Sequence, residues 1–333
     1  MFIISTYPLA VIFCIITMLC WGSWANTQKI AGNNWRFELF YWDYVIGVVL
    51  FSLCAALTLG SFGSEGRSFL ADLKQADSDN IIKAIIGGII FNAANILLSA
   101  AISIAGMAVA FPVGIGIALI LGVIVNYVTA PQGNLTFIVI GIILILAAII
   151  ANAVAYKKAN KGQKTLSFKG LAISVLAGLL MSLFYRFIAA SMDLSNFVHP
   201  AAGKMTPYTA VFIFSLGILL SNFVFNSILI YKPFEGVPTS YSAWFKGRFS
   251  LHLTGILGGI IWGLGNSFNL IAAGKAGPAI SYGLGQGATM VAAFWGVFIW
   301  KEFKQKGAGT NGLITAMFLL FIAGLGMLIY SGV

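Results

Sequence analysis

Charged residues are scarce in this sequence. It has 19 lysines and arginines and 9 aspartates and glutamates among 333 residues, so 8% of the chain is charged, whereas soluble globular chains average about 25%. Hydrophobic residues make up 59% of the chain, and the mean hydropathy is +0.96. This composition excludes a water-soluble enzyme, a disordered chain and a protein that wraps nucleic acid. The sequence therefore predicts an all-α polytopic protein of the lipid bilayer.

Cysteine and histidine are also rare. Cys14, Cys20 and Cys54 lie in apolar stretches, where a thiol behaves as a small hydrophobic group, so no disulfide framework or zinc site is predicted. His199 and His252 lie near span ends and form no metal pair, and no Walker lysine follows a glycine-rich loop. We expect no metal, no cofactor, no ATP-driven step and no enzyme activity.

Long apolar stretches dominate the chain. A span needs roughly 20 mostly apolar residues to cross a hydrocarbon core of ~30 Å. Ten stretches qualify: 6–28, 40–60, 81–104, 107–128, 134–155, 168–192, 206–231, 249–273, 276–299 and 310–331. The third and fourth spans, and likewise the eighth and ninth, are joined by very short connections that contain glycine. These stretches predict ten transmembrane helices.

The two halves of the chain share a pattern. An offset of 171 residues superposes Gly87-Gly88 on Gly258-Gly259, and it also superposes Ile89/Ile260, Ile90/Ile261, Asn95/Asn266, Ala101/Ala272, Gly106/Gly277, Gly114/Gly285, Gly116/Gly287 and Gly141/Gly312. We predict a first five-helix repeat over 1–156, a basic linker over 157–169 and a second five-helix repeat over 170–333. Because five spans is an odd number, the second repeat is expected to be inverted, as in many secondary transporters.

Lysine and arginine in the loops predict the orientation. Thirteen lie in odd-numbered loops: Lys29, Arg36, Lys157, Lys158, Lys161, Lys164, Lys169, Lys232, Lys246, Arg248, Lys301, Lys304 and Lys306. Five lie in even-numbered loops: Arg67, Lys74, Lys83, Lys204 and Lys275. The odd loops are therefore predicted to be cytoplasmic and both termini outside. The net charge of +10 reflects these loops, so no nucleic-acid partner is predicted.

Asp43 is the foremost acidic candidate within the spans. A charge at mid-bilayer costs ~2.5–3.5 kcal/mol on insertion scales, so such a residue usually faces a cavity and a partner. Tyr41, Trp42 and Tyr44 flank it, and we expect Arg186 or Lys29 to be its partner. Asp43 is predicted to couple transport to protons; the alternatives are a fixed structural ion pair or a second span that starts late and leaves Asp43 interfacial.

Two further ionisable residues, Glu38 and Arg186, lie in or at the ends of the predicted spans. Glu38 is a second candidate for proton coupling, although the spacing of five residues places it on another face of the helix. Arg186, seven residues before Asp193, is expected either to bind an anionic group or to snorkel to the membrane surface.

Neutral polar and aromatic residues predict the solute site. A buried amide needs a partner or a wet cavity. Asn95 and Asn266 are related by the repeat, and this symmetry favours a role as clamps between helices. Gln286 stands where the first repeat has Ile115, so it breaks the symmetry and is better placed to recognise an asymmetric solute. The predicted solute-binding residues are Trp21, Trp24, Asn26, Lys29, Trp42, Asn92, Asn95, Arg186, Trp262, Asn266, Asn269, Tyr282 and Gln286. For each aromatic ring alone, packing remains the commoner explanation.

Three motifs carry a family resemblance: Trp21-Gly-Ser-Trp24-Ala-Asn26-Thr-Gln-Lys29, Tyr41-Trp-Asp43-Tyr44, and Gly87-Gly88 through Asn95 to Asn126-Tyr127. The chain resembles the drug/metabolite transporter superfamily, within it the ureide permease-like group, and more distantly the rhamnose–proton symporter and glucose-uptake groups. The resemblance spans the chain and is strongest in the first half. It implies a central cavity lined by both halves, peripheral fifth and tenth spans, and a coupling role for Asp43. The long central loop of the plant ureide permeases is missing.

The sequence therefore predicts a secondary-active permease, proton-coupled, for uptake of a small polar metabolite such as a nucleobase or ureide heterocycle or a monosaccharide. Two alternatives stay open: an exporter of hydrophobic or cationic compounds, and a receptor or assembly subunit that does not transport. We expect a multi-pass protein of a bacterial inner (plasma) membrane. Whether it forms a homodimer is left open.

Overall fold

The apolar sequence folds into helices because backbone groups have no water to bind in hydrocarbon and must pair within the chain. The computed structural model describes residues 1–63, 65–159, 167–301, 303 and 309–333. Within these ranges there are ten membrane-length helices: Tyr7–Ala31 (α1), Phe37–Leu57 (α2), Ser78–Ala105 (α3), Ala110–Thr129 (α4), Leu135–Ala159 (α5), Phe168–Ala190 (α6), Pro207–Tyr231 (α7), Phe249–Ala276 (α8), Pro278–Ile299 (α9) and Thr310–Tyr330 (α10). The predicted ten spans and the all-α class are confirmed.

Two short helices lie in the loops, Phe69–Gln75 between α2 and α3 and Tyr241–Phe245 between α7 and α8. Helix α9 is interrupted: its first segment ends at Gln286, a second runs over Ala288–Phe294, and a π-helical turn follows over Trp295–Ile299. Most of the predicted linker, with Lys161 and Lys164, lies outside the described residues, as do Lys304 and Lys306. The linker and the division into 1–156 and 170–333 stay predictions.

Helices α3 and α8 form the centre of the bundle. Helix α3 packs against α6 and α7, α8 packs against α1 and α2, and α5 and α10 pack against each other at the periphery. Glycine permits the closest approaches, because a Cβ on Gly88 would overlap the Phe214 carbonyl oxygen of α7 and one on Gly259 would overlap that of Tyr44 in α2. Small residues at such crossings let helix backbones come together.

The two tight joints between spans have the same backbone conformation. Gly106, between α3 and α4, has φ 83° and ψ 157°, and Gly277, between α8 and α9, has φ 79° and ψ 155°. This conformation is open to glycine and strained for other residues. The joints and the glycine crossings therefore recur at the predicted offset. The inverted orientation of the second half stays a prediction.

Candidate functional site

A small pocket of about 20 Å³ lies at the centre of the bundle, between helices of both halves. Its lining comprises Trp21, Trp24, Phe91, Asn95, Leu98, Phe111, Ile115, Met181, Phe184, Trp262, Gln286 and Ala288. These residues come from α1, α3, α4, α6, α8 and α9. Five of the predicted solute-binding residues are brought together here: Trp21, Trp24, Asn95, Trp262 and Gln286.

Aromatic rings build one wall of the central pocket. The Trp262 ring lies nearly parallel to that of Trp21, with centroids 6.1 Å apart and an interplanar angle of 6°, and it stacks on Phe91 with centroids 4.2 Å apart. Two glycines make room for Trp21, since a Cβ on Gly265 would lie 2.9 Å from its Cδ1 and one on Gly285 would lie 2.8 Å from its Cζ3. Such parallel rings are surfaces on which a flat solute can stack.

Polar groups face the same pocket. The Asn95 amide donates a hydrogen bond to the Tyr41 hydroxyl over 3.3 Å, and Gln286 lies at the interruption of α9, just before Gly287. The indole N–H of Trp21 is buried and finds no acceptor among the described residues. The pocket thus combines amide donors and acceptors with aromatic faces, and this combination fixes the orientation of a small polar ligand.

Other predicted solute residues lie outside the pocket and bind neighbouring helices. The Tyr282 hydroxyl lies 3.0 Å from the Met181 carbonyl oxygen and 3.2 Å from that of Ala118, and it shares its one proton between these two acceptors. The Asn269 amide donates to the Ser281 carbonyl over 2.8 Å. These bonds tie α9 to α4, α6 and α8, so both residues hold helices in place.

Two buried asparagines differ in how far their hydrogen bonds are satisfied. Asn92 donates to the Ser221 hydroxyl over 3.0 Å and links α3 to α7. Asn266 is fully buried on α8, and within the described ranges neither atom of its amide has a partner. It lies one turn beyond Trp262, on the side of the pocket toward the even-numbered loops. Unpaired buried amides are costly, which marks Asn266 as a candidate for contact with solute in another conformation.

A second, larger cavity of about 530 Å³ opens at the odd-loop face; we call it the vestibule. It is lined by Ala25, Gln28, Lys29, Gly32, Trp35, Arg36, Phe37, Glu38, Ile102, Ser103, Ile104, Gly106, Phe234 and Glu235. Glu38 is buried and its Oε1 lies 2.8 Å from Arg36 Nη2. The Lys29 ammonium lies 4.6 Å from the centre of the Trp300 ring. Both residues therefore belong to the vestibule and not to the central pocket.

Asp43 is held by three donors near the odd-loop face. Its carboxylate is 1% exposed and accepts hydrogen bonds from the indole N–H groups of Trp35 and Trp244, each 2.9 Å long. His252 Nδ1 lies 2.8 Å from Asp43 Oδ1. Gly255 permits this approach of α2 to α8, because a Cβ there would overlap the Asp43 side chain.

The predicted partners of Asp43 were wrong, since His252 occupies the place expected for Arg186 or Lys29. Helix α2 begins at Phe37, so it starts before the predicted span at residue 40 and includes Asp43; the alternative that Asp43 lies at the membrane interface stays open. Arg186 is exposed on α6, with its guanidinium 5.2 Å from the centre of the Phe187 ring. This placement fits the snorkelling alternative, because Arg186 lines neither the central pocket nor the vestibule.

Trp42 and Asn26 contact neighbouring elements. The Trp42 ring packs edge-on against Phe223 of α7, with centroids 4.9 Å apart. Asn26 donates to the Ser23 carbonyl over 2.9 Å and accepts from the Trp300 indole over 2.6 Å. Neither residue lines the central pocket. Contact of Trp42 or Asn26 with the solute therefore stays a prediction.

The even-loop face carries a buried carboxylate that sequence reasoning missed. Asp72, in the short helix between α2 and α3, is fully buried. It accepts from Arg67 Nε over 2.9 Å, from the Thr206 backbone N–H over 2.7 Å and from Gln75 Nε2 over 3.2 Å. We call this group the even-face clamp, because it joins the α2–α3 loop to the start of α7. In the sequence, the one feature that points to this group is the short spacing between Arg67 and Asp72.

Asp193 has a structural role in the loop after α6. Burial alone would raise its pKa, but hydrogen bonds from the Ser195 hydroxyl over 2.6 Å and from the Ala201 backbone N–H over 2.9 Å lower the pKa of this carboxyl below its ordinary value. The carboxylate thus orders the loop, in keeping with the prediction that it marks the end of the sixth span.

Comparison with known proteins identifies the family. The ureide permease family model matches residues 153–331. The chain is 22% identical to ureide permease 1 and 23% identical to ureide permease 2 of Arabidopsis thaliana, with 99% of each chain covered. A putative sugar uptake protein, YxfA, of Lactococcus lactis is 30% identical over 32% of this chain and 40% of its own.

The fold recurs in a solved crystal structure. That structure superposes with a TM-score of 0.61 over 97% of this chain and 96% of the other, at 17% identity, which is a likeness of fold alone. The family-model match lies in the second half, whereas the recognisable motifs are strongest in the first, and the plant relatives align along the whole length. This chain belongs to the ureide permease family, a family of multi-pass membrane transporters for small polar solutes and not of enzymes.

Proposed function

We propose that the protein is a secondary-active permease that carries a planar, nitrogen-rich solute of the ureide or nucleobase class through the central pocket. The observation that carries this proposal is the pocket itself, where the rings of Trp21 and Trp262 lie beside the amides of Asn95 and Gln286. Stacked rings suit a flat solute, and amides complement its C=O and N–H groups. The names of the Arabidopsis relatives support a ureide.

Alternating access is the proposed mechanism, and the unequal openings of the two faces support it. The vestibule of about 530 Å³ reaches the odd-loop face, while the central pocket retains only about 20 Å³. On the other side of the pocket, toward the even-loop face, Asn266 and Tyr282 are fully buried. A transporter of this type exposes its central site to one side at a time by rocking its helices.

Proton coupling is proposed to act through Asp43. Its three donors bind a charged carboxylate more strongly than a neutral one. Trp35 and Trp244 lie in the α1–α2 and α7–α8 loops, and Trp35 also lines the vestibule. Protonation of Asp43 would therefore loosen two loops at the mouth of the open side, which links proton binding to the movement of the odd-loop face.

Proteoliposomes test both parts of the proposal. Uptake of uracil, allantoin and glucose is measured together with the pH inside the vesicles. We expect uptake of uracil or allantoin with acidification of the lumen, and we expect Asp43→Asn to abolish the acidification. Glu38→Gln is the matched comparison, because this second buried acid of α2 already has Arg36 as partner.

Each outcome has a separate meaning. Acidification that survives Asp43→Asn but is lost in Glu38→Gln assigns coupling to Glu38, and acidification unchanged in both variants rejects carboxylate coupling by α2. Uptake of glucose alone would favour a monosaccharide, the alternative supported by the similarity to a sugar uptake protein. Solute-driven release without uptake would favour an exporter.

A further inference from the structure

The central pocket and the vestibule lie only one to two helical turns apart on two helices. On α1, Trp24 lines the pocket and Gln28, four residues later, lines the vestibule. On α3, Asn95 lines the pocket and Ser103 lines the vestibule, with Ser99 midway between them. Because four residues advance a helix by about 6 Å on one face, Ser99 lies between the two cavities, and Gln28, which contacts it, lies at the end of the vestibule nearest the pocket. We call this level the layer between the cavities.

Gln28 and Ser99 contact each other but leave polar atoms unsatisfied. Gln28 is 9% exposed, and its Nε2 donates to the Ser99 carbonyl over 3.3 Å, beyond the usual range for an N–H···O bond. Gln28 Oε1 and the fully buried Ser99 hydroxyl have no hydrogen-bond partner in the described part of the chain. Neighbouring Thr27 differs, since its hydroxyl donates to the Trp24 carbonyl over 2.7 Å.

An unsatisfied amide at this position is costly unless a ligand completes it. A buried polar group without a partner loses its bonds to water and gains nothing in return. Gln28 Oε1 can accept from an N–H or O–H group, and the long Nε2 bond to Ser99 can be exchanged for a bond to a solute carbonyl or hydroxyl. The layer between the cavities thus offers the same donor and acceptor pair that the central pocket offers.

We propose that Gln28 and Ser99 form a transit subsite, which binds uncharged solutes with N–H or O–H donors as they pass between the central pocket and the vestibule. The proposal rests on the proposed function and adds a step to it. A solute that leaves the pocket exchanges its hydrogen bonds with Asn95 and Gln286 for hydrogen bonds with Gln28 and Ser99. Its polar groups therefore keep hydrogen-bond partners while it crosses the layer.

The first test separates turnover from affinity. Gln28→Met keeps the length of the side chain and removes the amide. With uracil or allantoin as the probe, we expect the transport rate to fall about tenfold, as for the loss of one hydrogen bond, while the dissociation constant measured on the purified protein stays within about twofold. Thr27→Val is the matched control and should change neither quantity by more than about twofold.

The second test needs no substrate. In a variant with all three native cysteines replaced by alanine, Gln28→Cys should react with a charged thiol reagent added on the odd-loop side, as should Ser103→Cys in the vestibule. Asn266→Cys, beyond the pocket, should not react from that side.

The outcomes distinguish the subsite from the transport function. The transit subsite is rejected if Gln28→Met transports the probe at the wild-type rate, if it weakens affinity as much as turnover, or if Gln28→Cys stays unlabelled while Ser103→Cys is labelled. Failure of the unmodified protein to transport any probe would count against the proposed function, and the labelling result would then decide the subsite alone.

Discussion

Replacing Asp72 by asparagine should destabilise the protein strongly, because the even-face clamp depends on its charge. The carboxylate is fully buried and accepts three hydrogen bonds, including one from Arg67. Removing one partner of a buried ion pair costs about 3–5 kcal/mol. Asparagine keeps a single acceptor oxygen and places an NH₂ group against the donors, so we expect a loss of about 3 kcal/mol.

Unfolding in detergent by heat or denaturant measures this loss, and a double-mutant cycle with Arg67→Met isolates the pair. Asp79→Asn is the matched control, since Asp79 lies seven residues along the chain with 74% of its side chain exposed and pairs with Lys83. Exposed pairs contribute less than about 1 kcal/mol. Thiol labelling of cysteines placed beyond the central pocket, from the even-loop side, reports whether the clamp also closes that face.

Two results would contradict the reasoning. If Asp72→Asn and Asp79→Asn lower the free energy of unfolding equally, burial does not set the strength of the clamp. If Arg67→Met is as harmful with asparagine at position 72 as with aspartate, the two side chains do not act as a pair. A loss of stability without any gain in labelling would leave the clamp a structural contact only.

Three further predictions concern the pocket, the helix contacts and the loop. Trp262→Leu should weaken binding of uracil or allantoin about tenfold, because it removes the stacking face, and isothermal titration measures this. Tyr282→Phe should lower stability by about 1–2 kcal/mol through loss of the bonds to the Ala118 and Met181 carbonyls, with unchanged solute affinity as the check. Asp193→Asn should lower the free energy of unfolding relative to the wild type, by the full amount at neutral pH and by less as pH falls below the ordinary carboxyl pKa of 3.8. The reason is that a carboxyl with a lowered pKa stabilises the fold only while it is charged. A difference between variant and wild type that does not change with pH would contradict this prediction.

Features that depend on local composition were predictable from the sequence. The ten helices follow from the length of the apolar stretches. The tight joints at Gly106 and Gly277 follow from the glycine in each short connection, because other residues would be strained in that backbone conformation. The pocket residues were partly predictable as well. The departure of Gln286 from the repeat points to the pocket, whereas the repeat itself favours a clamp role for Asn95, and only the fold places Asn95 at the pocket.

Features created by long-range contacts were not predictable. An acid inside a span is costly, which makes Asp43 conspicuous in the sequence, but its partners Trp244 and His252 lie 201 and 209 residues away. Asp72 lies in a loop, where an acidic residue is ordinary, so its burial depends on contacts that the sequence does not show. Arg186 is conspicuous for the same reason as Asp43, and only the packing of α6 shows that it points outward.

Some helix contacts recur in both halves of the chain, whereas some polar side chains at those contacts occur in one half only. This difference helps to separate residues that build the fold from residues that serve the function. The contact of α2 with α8 at Gly259 has a counterpart in the contact of α7 with α3 at Gly88. The polar pair on the first of these contacts does not recur. The carbonyls that meet Gly259 and Gly88 belong to Tyr44 and Phe214, which are 170 residues apart, so the counterpart of Asp43 in α7 is Ile213. The counterpart of His252, 171 residues earlier, is Ile81. Helix packing needs no polar pair at this crossing, since the second contact has isoleucine at both corresponding positions. The Asp43–His252 pair is therefore an addition to a frame that packs without it, which is the strongest reason to seek the coupling function at Asp43.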